Sequence, residues 1–239
     1  MCKSISFLLP LSPSDENAMA QAQRRRARRS ALLLASLAQC EALECASGSY
    51  TTLRLGSGRS LKLQHSTWQA AGTGGFVWHA GKVLCDWLRD REGFAGSSVL
   101  ELGCGTGACG LFAAGLGASR VMLTDSGPDA LLELAERNAA SNAAAYPGTD
   151  VCVRRYAWGD ELPAPIASGR WDWVLAADVL YSRRAHEPFC ATARELLRPA
   201  AGAAAQPPPR PPGLVLAHQQ RLGDPTLDDF CATAEASAV

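Results

Sequence analysis

Nine residues, Val99-Leu100-Glu101-Leu102-Gly103-Cys104-Gly105-Thr106-Gly107, run an apolar segment directly into a glycine-rich turn, and an apolar helical pattern follows over residues 108–116. A chain leaving a buried parallel strand in this way must turn sharply and bring its backbone close to whatever sits at the strand end, which a Cβ atom would obstruct. The segment therefore predicts a strand-turn-helix unit of an open α/β sheet with a nucleotide-type cofactor at the turn. Gly105-x-Gly107-x-x-Gly110 also satisfies the dinucleotide fingerprint, and Asp125 ends the next strand where a ribose-binding acid belongs. Taken alone, the loop leaves a nicotinamide dinucleotide open.

The alternation continues along the chain. Residues 50–55 and 60–65 alternate polar and apolar around Gly56-Ser57-Gly58, a β-hairpin signal. Residues 77–89 read as a helix with Val83, Leu84, Trp87 and Leu88 as its apolar stripe. Then come a strand at 98–102, a helix at 108–116, a strand at 120–124, a helix at 128–142, strands at 151–156 and 171–176, a helix at 185–197 and a strand at 214–217. This order predicts a Rossmann-like, doubly wound, mostly parallel sheet with helices on both faces.

With 239 residues, 47% of them hydrophobic, the chain can bury one sizeable core, assigned to a single domain over 50–239. Residues 1–49 read as a mostly disordered or weakly helical extension, with an apolar stretch at 31–46, and the Pro/Ala-rich segment 199–212 reads as an insertion. The net charge of zero is unevenly spread: residues 1–29 hold Lys3 and five arginines against Asp15 and Glu16, leaving 17 basic and 21 acidic residues in the remainder. An acidic body disfavours nucleic acid and suits a basic protein partner. No apolar run reaches the ~20 residues needed to span a bilayer, so no membrane partner is expected. The nine cysteines show no C-x-x-C pair or zinc-like spacing, so no metal is expected and the thiols read as reduced and intracellular. The expected setting is cytoplasmic, with the nucleus or an organelle as alternatives because the arginine run at 24–29 could be a targeting element.

Beyond the glycine loop, four separated segments carry a resemblance: Gly75-Phe-Val-Trp78, Val121-Met-Leu-Thr-Asp125, Ala157-Trp158-Gly159, and Trp171-Asp-Trp-Val-Leu-Ala-Ala-Asp178-Val-Leu-Tyr181. In this order, with Glu101 closing the first strand, they resemble the seven-strand AdoMet-dependent methyltransferases of methyltransferase family 16. The likeness is to the methyltransferase-like 21 group of protein-lysine methyltransferases, over roughly residues 50–230. The resemblance implies a monomeric enzyme that moves a methyl group from S-adenosylmethionine (AdoMet) to a lysine of another protein. It implies cofactor contacts at Trp78, Glu101, Gly103, Cys104, Gly105, Gly107, Asp125, Trp158 and Ala177, and an acceptor site at Asp178 and Tyr181. A carboxylate at Asp125 suits two ribose hydroxyls, and a flat aromatic at Trp158 can cover adenine. His79, His186 and His218 have no metal-like spacing and read as incidental.

The family closes its sheet with two further strands after the fifth, and the chain ends at Val239 before they are reached. Strand five is thus expected to be an exposed edge, a liability for association. That departure keeps open a truncated, non-enzymatic AdoMet-binding or interaction protein, beside a methyltransferase for histidine or small molecules.

Overall fold

Period-two alternation sorts the strand residues onto two faces of one sheet, and both faces are buried. The structure, a computed structural model, describes residues 3–9, 50–56, 58–91, 93–197, 213–220 and 226–236. In chain order the elements are β1 (Lys3–Leu9), β2 (Tyr50–Gly56), β3 (Arg59–Gln64), α1 (Trp68–Ala71), α2 (His79–Arg89), β4 (Ser98–Leu102), α3 (Ala108–Gly115), β5 (Arg120–Asp125), α4 (Asp129–Asn142), β6 (Asp150–Arg155), α5 (Ala164–Ala167), β7 (Trp173–Ala177), α6 (His186–Leu196), β8 (Gly213–Gln220) and α7 (Thr226–Ala236). The main sheet has the order β1-β8-β7-β4-β5-β6. Its last five strands are mutually parallel.

On one face Val99, Val121, Leu123, Leu175, Val215 and Ala217 pack with α2, α3 and the β2–β3 hairpin. On the other, Leu100, Leu102, Met122, Val174, Leu214 and Leu216 pack with α5, α6 and α7. Helices cover both sides, which is why the strands read as continuous apolar runs. The expected doubly wound parallel sheet is present, and so is the N-terminal hairpin.

Asn138 and Asn142 of α4 fasten the hairpin to the domain. Their Oδ1 atoms accept from the backbone N–H groups of Gln64 and Lys62, each at 2.8 Å. Asn138 Nδ2 also donates to the Thr106 carbonyl at 3.0 Å. The hairpin and the glycine turn are therefore tied through one buried side chain.

Three expectations need correction. Residues 3–9 form β1, antiparallel to β8 with Lys3 opposite Gln220 and Leu9 opposite Leu214, rather than belonging to a disordered or helical extension. Strand five is consequently paired on both sides and is no exposed edge. The fourth parallel strand begins at Trp173, not Trp171. The Trp171 indole instead lies under the Arg120 guanidinium, 4.6 Å from the ring centroid, and donates to the Ile166 carbonyl at 3.0 Å, closing α5. Finally, Pro128 caps α4 from outside, so the helix starts at Asp129. The apolar stretch 31–46, the arginine run and the segment 199–212 lie outside the described residues.

Candidate active site

At the carboxyl edge of the parallel strands a cavity of about 820 Å³ opens between the glycine turn and the loops after β5, β6 and β7. That size lies within the ordinary range for small-molecule sites, roughly 300–1,000 Å³.

The turn after β4 forms one wall. Gly105 has φ +53°, and a Cβ there would stand 2.7 Å from the Gly74 carbonyl oxygen. Gly103 has φ +67°, and a Cβ would lie 2.8 Å from Val179 and 3.0 Å from the Trp158 ring. Both positions need glycine for conformation and for space. Gly103, Cys104 and Gly105 line the cavity. Gly107 is absent from that lining: a Cβ there would meet the Leu123 side chain at 2.9 Å, so this glycine serves packing of the helix start against β5. The Cys104 thiol is buried, and burial with the nearby carboxylates pushes its pKa well up, which disfavours the thiolate.

Two acids hold the turn. Glu101, 2% exposed, accepts from the N–H groups of Gly110 (2.8 Å) and Cys109 (3.3 Å) in the first turn of α3. Burial outweighs those bonds and raises its pKa to about 8. Asp125 accepts from Gly105 N–H through Oδ2 and from Gly127 N–H through Oδ1, each at 2.9 Å. One carboxylate thus joins the loops after β4 and β5.

Aromatic side chains form the roof and mouth. The Trp158 ring sits over Gly103 and is held edge-on by Phe189, centroids 5.3 Å apart. Trp78, at the start of α2, donates from Nε1 to the Thr73 carbonyl at 2.8 Å. That bond ties it to the short turn Gly72–Gly75, which folds over Gly105. Trp78 and Trp158 both line the cavity, together with Ala177.

Asp178 follows β7 and is 8% exposed, whereas Tyr181 is 60% exposed at the mouth. Both line the same cavity. His186, read from sequence as incidental, is 2% exposed and donates from Nε2 to the Leu180 carbonyl at 3.1 Å, so it anchors the loop that carries them. His218 is not incidental either: its Nδ1 stands 3.5 Å from Asp178 Oδ1. Sequence reasoning also missed Trp68, Thr73, Gly74 and Leu131, which are among the further residues of the lining. For Thr73 and Gly74 the signal was the second glycine cluster, Gly72-Thr-Gly-Gly75, upstream of Trp78. With Glu101 held largely in its protonated form, the acidic lining residues Asp125 and Asp178 still outnumber the one basic lining residue, Arg184, among those described. The cavity thus suits a ligand that carries positive charge.

An open parallel sheet with an acid-bound glycine turn at its carboxyl edge defines a Rossmann-like fold, whose ligand crevice lies where this cavity opens. A family model described as lysine methyltransferase matches residues 56–204, and the chain belongs to that family. The N-lysine methyltransferase METTL21A of Xenopus tropicalis is 38% identical over 116 residues, which cover 48% of this chain and 51% of that protein. The mouse EEF1A lysine methyltransferase 3 is 32% identical over 143 residues, covering 59% of each. The N-terminal and lysine N-methyltransferase efm7 of Emericella nidulans is 28% identical over 137 residues, covering 52% of this chain and 53% of that protein. The chain spans about half the length of the curated relatives it matches.

Proposed function

We propose that this protein binds AdoMet in the cavity and directs its methyl group to the side-chain amine of a lysine in another protein. The observation that carries this reading is the convergence of the Gly103–Gly105 turn, Asp125, Trp158 and Asp178 on one cavity at the sheet's carboxyl edge. The lining fits the cofactor: Gly103 and Gly105 leave backbone space that a Cβ would fill. Asp125 offers carboxylate oxygens for ribose hydroxyls, Trp158 offers a flat surface for adenine, and the excess of carboxylates matches a cationic ligand.

When bound, AdoMet supplies a sulfonium-activated methyl group that an uncharged amine can attack in line. The chain's own task is to deliver that amine. A lysine arrives as an ammonium, with an unperturbed pKa of about 10.4. The Asp178 carboxylate attracts it through the mouth, and the Tyr181 hydroxyl gives a second hydrogen-bond partner there. Withdrawal from water among Trp78, Trp158 and Tyr181 then favours the neutral amine. The released proton passes to Asp178 or to solvent at the mouth. Alignment supplies most of the acceleration, because no covalent enzyme intermediate is needed.

This reading is tested by titrating AdoMet and NADH separately into the protein in a calorimeter, then following labelled methyl from AdoMet into a protein extract. Heat from AdoMet, none from NADH, and label in protein support it. Binding of NADH without AdoMet would replace it with an oxidoreductase. Tight AdoMet binding with no transfer to any acceptor would favour a non-enzymatic binding protein.

A further inference from the structure

Asp178 has φ +56°, the one non-glycine residue with positive φ among those described. Aspartate tolerates this region better than most residues, yet it is uncommon and needs support from its surroundings. That support comes from three consecutive residues of β8. The Asp178 N–H donates to the Ala217 carbonyl at 2.8 Å. Asp178 Oδ1 accepts from the Gln219 N–H at 3.4 Å and stands 3.5 Å from His218 Nδ1. The His218 and Asp178 side chains are 1% and 5% exposed. Among the described residues, the hydrogen-bond and ion-pair contacts of this carboxylate fall on Oδ1, which leaves Oδ2 for an incoming amine.

We propose that His218 is a positioning residue for methyl transfer: its ring fixes the Asp178 carboxylate from behind, through Oδ1, so that Oδ2 meets the acceptor. His218 itself is absent from the cavity lining. The role requires a proton on Nδ1, in the neutral or the cationic ring, so that the ring presents a donor towards that oxygen across the 3.5 Å separation. Period two places His218 on the sheet face of Leu214 and Leu216, which α6 and α7 cover. The carboxylate is therefore oriented by a strand whose other contacts are structural. The inference rests on the reading that Asp178 receives the amine.

The test compares two amide replacements of similar size whose donors differ in place. In His218→Asn the amide nitrogen falls near the position of Nδ1, and in His218→Gln it falls near Nε2. The measurements are the initial rate of labelled methyl transfer from saturating AdoMet into a fixed protein extract, the AdoMet dissociation constant, and the thermal midpoint. His218→Gln is expected to lose about tenfold in rate, the loss that misplacing a reacting group produces, with AdoMet affinity within about twofold of wild type. His218→Asn is expected to recover most of that rate. Combining His218→Gln with Asp178→Asn should add nothing further, since the first change acts through the second residue. Equal rates for the two replacements, parallel loss of AdoMet binding and rate, or a full additional loss in the double variant would each overturn the positioning role. A normal rate for Asp178→Asn alone would instead refute the reading of Asp178, and lack of transfer by wild type would refute the proposed function, with this inference falling in either case.

Discussion

The Asp125 carboxylate accepts a hydrogen bond from the Gly105 backbone N–H at 2.9 Å, joining the end of β5 to the glycine turn after β4. The carboxylate proposed to bind the ribose is therefore also part of what holds the turn. Asp125→Ala should weaken AdoMet binding by about 1.5–3 kcal/mol, the usual worth of a hydrogen bond to a charged group. Asp125→Asn, which keeps one acceptor oxygen, should lose less. Calorimetric titration of both variants checks this, and unchanged affinity in a folded Asp125→Ala protein would remove the assignment.

Gly105 and its neighbour Cys104 should behave oppositely. A valine Cβ at 105 would lie 2.7 Å from the Gly74 carbonyl oxygen, on a backbone already at φ +53°. Gly105→Val should abolish AdoMet binding and lower the melting temperature. Cys104→Ala should leave affinity nearly unchanged, because the buried thiol makes its described hydrogen bond only to the adjacent Gly105 carbonyl. Side-by-side titrations decide the matter, and an inactive Cys104→Ala would reopen thiol chemistry.

Glu101 gives the ligand-free protein a pH dependence of definite sign. Its pKa rises from an ordinary 4.5 to about 8 on folding. Between those values the folded protein holds a proton that the unfolded chain has released, so stability declines as pH rises through this window and levels off above it. Glu101→Gln, neutral throughout, should lack that part of the decline. Between pH 5 and about 8 the wild-type melting temperature should fall more steeply with rising pH than that of Glu101→Gln, and above that window the two slopes should match; identical slopes throughout would contradict a protonated Glu101.

Pairing of β1 with β8 predicts a stability role for the first residues. Deleting residues 1–10 leaves the β8 edge without its antiparallel partner over Leu214–Gln220. Hydrogen exchange in that strand should quicken and the truncated protein should associate more readily. Unchanged exchange in β8 would show that β1 does not guard that edge.

Much of the fold was legible because its signals are local. The strand Ser98–Leu102 emerges with the boundaries read from sequence, since an apolar run stops at Gly103. The hairpin follows from alternation around Gly56 and Gly58. Strand β1 was missed because the neighbouring arginines and polar residues dominated composition, while Ile5 and Phe7 alternate over too few residues to stand out. In the site, Gly103 and Gly105 face the cavity whereas Gly107 packs on Leu123, a difference set by three-dimensional neighbours and invisible in a G-x-G pattern. The approach of His218 to Asp178 was equally hidden. Forty residues separate them in sequence, and only the parallel pairing of β7 with β8 makes them neighbours.

The central claim is that this cavity directs an AdoMet methyl group to lysine, and isotope-labelled product mapping tests it most directly. The full chain is incubated with AdoMet carrying a heavy methyl group and a protein extract, and the modified proteins are digested and sequenced by tandem mass spectrometry. The account predicts heavy methyl on lysine ε-nitrogens, lost in Asp178→Asn while AdoMet still binds. Heavy methyl on histidine, on arginine or only on small metabolites, or lysine marks that persist undiminished in Asp178→Asn, would contradict it.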